Sequence, residues 1–227
     1  MKRVMKIMGI GFVCGIILLV IQKVSSIPED TFLKGYYTVG IFVIVSAVLF
    51  NVFYNLSYNK KVQKAITLLK DGRPKEYIEQ MEIIKQKAKG NTLRRVLDIN
   101  LSAGYYDLKQ YDKAIELLEP LYQVKLRGVM QIAWLLNLCL SYFHVQQNEK
   151  AMELYYQSKN KFDKFKSRGK YTENIMLLEI FVALEKREFS LANELVEVLE
   201  KQTTDKEIKE ELSDIRENLK AVQYNKR

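Results

Sequence analysis

The chain opens with two uncharged apolar runs, Ile7–Ile21 "IMGIGFVCGIILLVI" and Tyr36–Tyr54 "YYTVGIFVIVSAVLFNVFY", and from Asn59 onward its apolar residues fall three and four apart. The second run has nineteen residues and is bracketed by tyrosines, which suits a transmembrane helix with an aromatic belt at each end. The first run is shorter. It predicts a span over about 4–21 once Val4 and Met5 join it and Lys6 snorkels outward. Its basic start and the "VSS" at 24–26 also fit a cleaved signal peptide. The second span, over 36–54, follows directly, which favours retention and a transmembrane helical hairpin. Beyond it, "VQKAITLL", "YIEQMEII", "AIELLEPLY" and "LANELVEVLE" carry the helical period. Breaks are expected at 70–74, 89–91, 109–112, 125–128, 146–149, 167–170, 186–189 and 201–205. Helices of this size joined by short turns predict antiparallel hairpins stacked in sequence, so the fold class is all-α.

Charge orients this arrangement. Lys2, Arg3 and Lys6 precede the first run, and Lys60, Lys61 and Lys64 follow the second, whereas the connector "QKVSSIPEDTFLKG" is balanced. The positive-inside rule then predicts a plasma-membrane protein with both termini cytoplasmic. That orientation depends on the first run being retained. Residues 60–95 hold eleven Lys/Arg against four acids, and 96–227 hold twenty against twenty-one, so most of the net +9 lies beside the membrane. Lys60, Lys61 and Lys64 are accordingly candidates for contact with anionic headgroups. The neutral remainder argues against nucleic acid as a partner. Gly11 and Gly15 form a GxxxG that serves either packing between the two spans or a homo-oligomer. Neither run carries an ionisable residue in its middle, which argues against a channel or pump. An apolar fraction of 48% with only three prolines, ten glycines and no low-complexity run predicts a continuous packed core. Compactness and composition suggest a bacterial protein.

The helical region repeats. "NLSAGYYDLKQYDKAIELLEPL" (100–121) aligns without a gap on "NLCLSYFHVQQNEKAMELYYQS" (137–158), an offset of 37 that superposes Asn100 on Asn137, Leu101 on Leu138, Tyr105 on Tyr142 and Ala114 on Ala151. The pattern resembles the tetratricopeptide repeat. Leu138, Cys139 and Tyr142, and Leu101, Ser102 and Tyr105, match that family's first helix; Tyr111, Lys113 and Ala114 match its second. A weaker third copy, 174–200, keeps Phe189 and Ala192 at the aromatic-x-x-Ala spacing. The resemblance implies an α-solenoid over 95–204, preceded by a basic juxtamembrane hairpin (59–94) and closed by a capping helix (205–227).

It also implies a concave groove that holds a peptide or a partner helix. The groove-facing positions carried over are Val96, Ile99, Asn100, Ala103, Tyr106 and Asp107 in the first unit and Ala133, Leu136, Asn137, Leu140, Phe143 and His144 in the second. Asn100 and Asn137 stand where some members bond an extended backbone. Ile99 and Leu136 stand where others place basic residues to clamp a C-terminal carboxylate, which disfavours that ligand. The same stripe of Tyr, Phe and Leu also fits plain core packing, with the last helix filling the groove. "KNKFDKFKSRGK" (159–170) is read as the exposed end of a helix plus a turn, with contact to a membrane surface or nucleic acid as the alternative. No phosphate loop, HExxH, GxSxG or Cys/His constellation occurs. The expectation is therefore no enzyme, no cofactor and no metal: a membrane-anchored interaction scaffold. The alternatives are a peptide-sensing regulator and, behind it, a membrane enzyme whose site carries no known motif.

Overall fold

The computed structural model describes residues 15–18, 20–25 and 28–224, and among these every regular element is helical. The chain divides into two compact units at Tyr58/Asn59. In the first, α1 (Glu29–Lys70) begins with Glu29 and Asp30 and ends with Lys70, charges that complement the helix dipole at both ends. Among the described residues, α1 is the one helix long and apolar enough to cross a membrane, and none of its most apolar window is buried. The sequence confines the second span to 36–54. The helix instead starts seven residues earlier and runs on without a break, because nothing between Glu29 and Lys70 is a proline or a turn former strong enough to stop it. Its 42 residues correspond to about 63 Å. The expected first span lies largely outside the described residues, as do Gly11 and Cys14; Gly15–Val24 is a short apolar helix, and Gly15 has open space where a Cβ would be. The two-span hairpin thus stays an expectation from sequence.

The second unit, Asn59–Arg227, takes in the last turns of α1 and then eight helices: α2 (Pro74–Lys87), α3 (Asn91–Asp107), α4 (Tyr111–Leu118, continued by a 3-10 turn Glu119–Gln123), α5 (Gly128–His144), α6 (Asn148–Lys166), α7 (Thr172–Glu185), α8 (Phe189–Gln202) and α9 (Lys206–Tyr224). From α2 to α9 each helix packs on the next, and α3 packs on α5 and α5 on α7. Residues of α3 to α9 share one continuous hydrophobic core.

Five helix ends carry the same turn. A residue with positive φ sits at Gly72 (70°), Lys109 (57°), Gln146 (60°), Gly169 (67°) and Arg187 (60°). The following amide bonds back five residues, Arg73 to Leu68, Gln110 to Tyr105, Gln147 to Tyr142, Lys170 to Phe165 and Glu188 to Ala183, at 2.8–3.1 Å. This is the left-handed C-terminal cap that satisfies the last carbonyls of a helix. The repeat legible in sequence at 100–158 therefore has the same turn geometry one unit earlier and one unit later. At the α2–α3 contact the packing differs. Tyr77 is 1% exposed, its ring lies 2.5 Å from where a Cβ on Gly104 would be, and its hydroxyl donates to the Asn100 carbonyl at 2.7 Å. Bulk on α2 is accommodated by the absence of a side chain on α3.

Candidate functional site

The end of α3 and the end of α5 stand side by side, and α9 crosses them. Asp205 caps α9: its Oδ1 accepts the amides of Glu207 at 3.0 Å and Ile208 at 3.3 Å, the arrangement that starts helices well. Along α9, Ile208, Leu212, Ile215 and Leu219 are all buried and join the common core. Their spacing of four, three and four makes one stripe. Burial of each is worth about 1.5–3 kcal/mol. The sequence reading of 205–227 as a cap with a polar face accounts for the exposed side of this helix and omits the stripe.

Beside the stripe lies a polar cluster. The Tyr106 hydroxyl donates to Glu211 Oε1 at 2.9 Å, with Oε2 at 3.1 Å, and the His144 Nε2 lies 2.6 Å from the same Oε1 and 2.9 Å from the Tyr106 oxygen. The tautomer with its proton on Nε2 satisfies the carboxylate from two sides. Tyr111 stacks on His144 at 4.1 Å with rings nearly parallel, and Phe181 of α7 meets the imidazole edge-on at 5.1 Å. Burial, reinforced by Glu211, holds the Tyr106 hydroxyl well above the usual phenol range, and burial pushes Tyr111 up to about 12. Both therefore stay protonated near neutral pH, Tyr106 as a hydrogen-bond donor and Tyr111 as a stacking ring.

One turn earlier, the carboxyls of Asp107 and Glu207 face each other. Asp107 Oδ2 is buried without a hydrogen-bond partner. Burial first, then the charge of Glu207, pushes Asp107 up to about 8. Further along, Lys109 and Asp214 form an exposed ion pair at 3.6 Å, and Arg216 reaches Glu200 of α8 at 2.5 Å. The chain matches no family model, no curated protein and no solved structure. What this surface does must be read from its own chemistry.

The residues named from sequence fall into five groups. Tyr106, Asp107 and His144 come together and meet α9. Ile99, Leu136, Leu140 and Phe143 are buried in the core, with Phe143 stacked on Phe181 at 5.5 Å. Val96, Ala103 and Ala133 are partly buried. Asn100 bonds the Val96 carbonyl of its own helix at 2.8 Å, and Asn137 donates to the Ser102 hydroxyl at 3.1 Å, tying α5 to α3. Both amides are engaged within the chain. Lys60, Lys61 and Lys64 are exposed. Glu207, Glu211 and Phe181 complete the cluster and were not singled out from sequence, while Tyr111 was named only as a packing residue of the repeat. The signal was present at 207, 211 and 214, where acids at helical spacing flank the apolar stripe 208, 212, 215.

A second concavity of about 470 Å³ lies among Glu119, Tyr122, Tyr142 and Lys150. Glu119 accepts from Tyr142 at 2.9 Å and lies 3.4 Å from Lys150, so its carboxylate is already committed. Among the described residues no three His, Cys, Asp or Glu side chains converge as a metal site.

Proposed function

We propose that the protein is a membrane-anchored interaction module in which tetratricopeptide-like hairpins, stacked as a solenoid, hold an amphipathic helix of a partner protein. The observation that carries this reading is the seating of α9: an amphipathic helix lies against the ends of α3 and α5 by an apolar stripe and a partly buried carboxylate. A surface with that chemistry recognises a helix by its spaced apolar anchors. Two N-terminal spans place the module in the plasma membrane with both termini cytoplasmic, and the exposed Lys60, Lys61 and Lys64 lie against anionic headgroups.

Co-purification from native membranes tests the reading. Val96→Glu and Ala133→Glu change partly buried positions on the same two helices. The expected result is loss of the partner from a chain that still melts cooperatively. Unchanged recovery removes the proposal. For topology, a cysteine placed at 30 is expected to react with an impermeant thiol reagent from outside, and one at 220 only after permeabilisation. External labelling at 220 overturns the orientation.

A further inference from the structure

Charge is shared unequally between the two ends of the helical stack. Helices α3, α5 and α7 pack in a row, α3 on α5 and α5 on α7. Tyr106 and His144, in the last turns of α3 and α5, meet at 2.9 Å. Glu185, the last residue of α7, accepts from Asn148, just past the end of α5, at 2.5 Å. The C-terminal ends of the three helices are therefore together, and so are their starts at Asn91, Gly128 and Thr172. Around the C-terminal ends, 107–112, 144–150 and 185–189 hold four Lys/Arg against five Asp/Glu. Around the starts, 85–95, 124–130 and 164–172 hold five, two and four Lys/Arg and no acid. The acids nearest in sequence are committed: Asp98 to Lys85 at 2.7 Å, Glu179 to Lys166 at 2.5 Å, Asp163 to Lys159 at 3.4 Å, and Glu173 to the Thr203 hydroxyl at 2.5 Å. Lys125, Arg127, Lys164, Arg168 and Lys170 are exposed and form no ion pair among the described residues. Both α3 and α5 begin without an acid in the first turn and without a side-chain cap, so their dipoles add to the positive potential.

We propose that this basic end of the stack is a docking surface for anionic lipid headgroups. This rests on the reading of the chain as membrane-anchored and adds a face to it: Lys60, Lys61 and Lys64 follow the span directly, whereas these cations come from three separate turns further along the chain. Two observations favour a bilayer over a nucleic acid. The aromatic residues interleaved with the cations of 159–170 are spent on the fold, Phe162 at 1% exposure and Phe165 against the core and the ring of Tyr171. Single-strand recognition needs such rings as platforms for bases. The side chain that does stand out beside Lys125 and Arg127 is aliphatic, Val129 at 42% exposure, which suits the boundary between headgroups and acyl chains. A unit tethered at Asn59 to a membrane span meets headgroups at high effective concentration. Each cation at the anionic surface then multiplies the ratio of docked to free by about five.

The test uses the full chain in lipid nanodiscs, with Cys14 changed to Ser and the buried Cys139 left in place. A bimane label is attached at Val129→Cys or, at the other end of the stack, at Glu149→Cys, and some lipids carry a nitroxide on the headgroup. In discs rich in phosphatidylglycerol the label at 129 is expected to be quenched and the label at 149 to stay bright; in pure phosphatidylcholine discs both stay bright. Lys125→Gln with Arg127→Gln is expected to lower the docked-to-free ratio about 25-fold, two factors of about five, with no change in melting temperature. Adding Lys164→Gln, Arg168→Gln and Lys170→Gln is expected to abolish quenching. Equal quenching in the two kinds of disc, equal quenching at 129 and 149, or quenching that survives all five substitutions overturns the proposal. Release of the label by inorganic phosphate at constant ionic strength assigns the surface to soluble phosphate, and release by an equimolar single-stranded oligonucleotide assigns it to nucleic acid; either overturns the lipid assignment. A chain that fails to co-elute with neutral discs defeats the anchor and this inference together. Co-elution without quenching at 129 defeats this inference alone, and quenching without partner recovery from membranes defeats the module reading alone.

Discussion

The first and the last of the long helices, α1 and α9, invert one another. α1 is apolar over its middle and buries none of its most apolar window, whereas α9 is rich in charge and buries its Ile and Leu residues at 208, 212, 215 and 219. What separates them is the arrangement of apolar residues rather than their number. In α1 they surround the helix, so no protein face of ordinary width could cover them, and only a solvent that is itself apolar satisfies every side. In α9 they form one stripe, which a single groove covers while most of the charges, Glu211 excepted, remain in water. Total hydropathy thus points to the environment of a helix, and angular distribution to its partner.

The sharpest way to break this comparison is to put the same charge into both helices. Leu212→Asp buries a carboxylate where exposure is 0% and is expected to detach α9 at a cost of more than about 3 kcal/mol. Limited proteolysis at the C-terminus and a lowered melting temperature would report it. Val43→Asp, at an exposed position of α1, is expected to leave that melting temperature unchanged and to lower recovery in the membrane fraction, by about 3 kcal/mol of insertion energy. Equal effects of both on melting would mean that α1 is packed against protein.

Smaller changes sharpen the account of α9. Tyr106→Phe removes the donor to Glu211 and keeps the ring, with an expected loss of about 1.5–3 kcal/mol in urea denaturation. Asp205→Ala removes the cap of α9 and is expected to cost about 1 kcal/mol by the same measurement. The last effect has the opposite sign. Asp107 is pushed up to about 8 by burial and by Glu207; a raised carboxyl favours the folded state at low pH and loses that contribution as pH climbs from about 4 to 8. Asp107→Asn is therefore expected to raise the melting temperature at pH 8, leave it unchanged near pH 4, and flatten the profile between. A wild-type profile that rises over this interval would contradict the facing carboxyls.

The helices and their breaks were legible because each break carries its own chemistry. The 3.6-residue spacing stops at Gly72, Gly90, Gly128 and Gly169, and at Lys109, Gln146 and Arg187, which take the same positive φ. Sequence missed the upper reach of α1, because the connector before Tyr36 looks like a loop by charge yet contains no stop signal after Pro28. It also missed half of the polar cluster. Tyr106 and His144 were found by their place in a local repeat, but Glu211 stands 105 residues from Tyr106. No local pattern ties the two. What was readable at 205–224 was an amphipathic period, and the identity of the surface it covers required the third dimension.

The contact between Tyr77 and Gly104 bears on how such a chain can change over generations. Thirty-seven residues later the corresponding positions hold Ala114 and Ser141, two modest side chains in place of one large and one absent. The first hairpin and the second are therefore not interchangeable parts. A duplicated or transposed unit would bring a tyrosine against an occupied site or leave a void opposite a glycine, and a change at either position survives only with a matching change at the other. The order of the hairpins is written into the sizes of their contacts, and the array can lengthen at its first joint only by inventing a new pair.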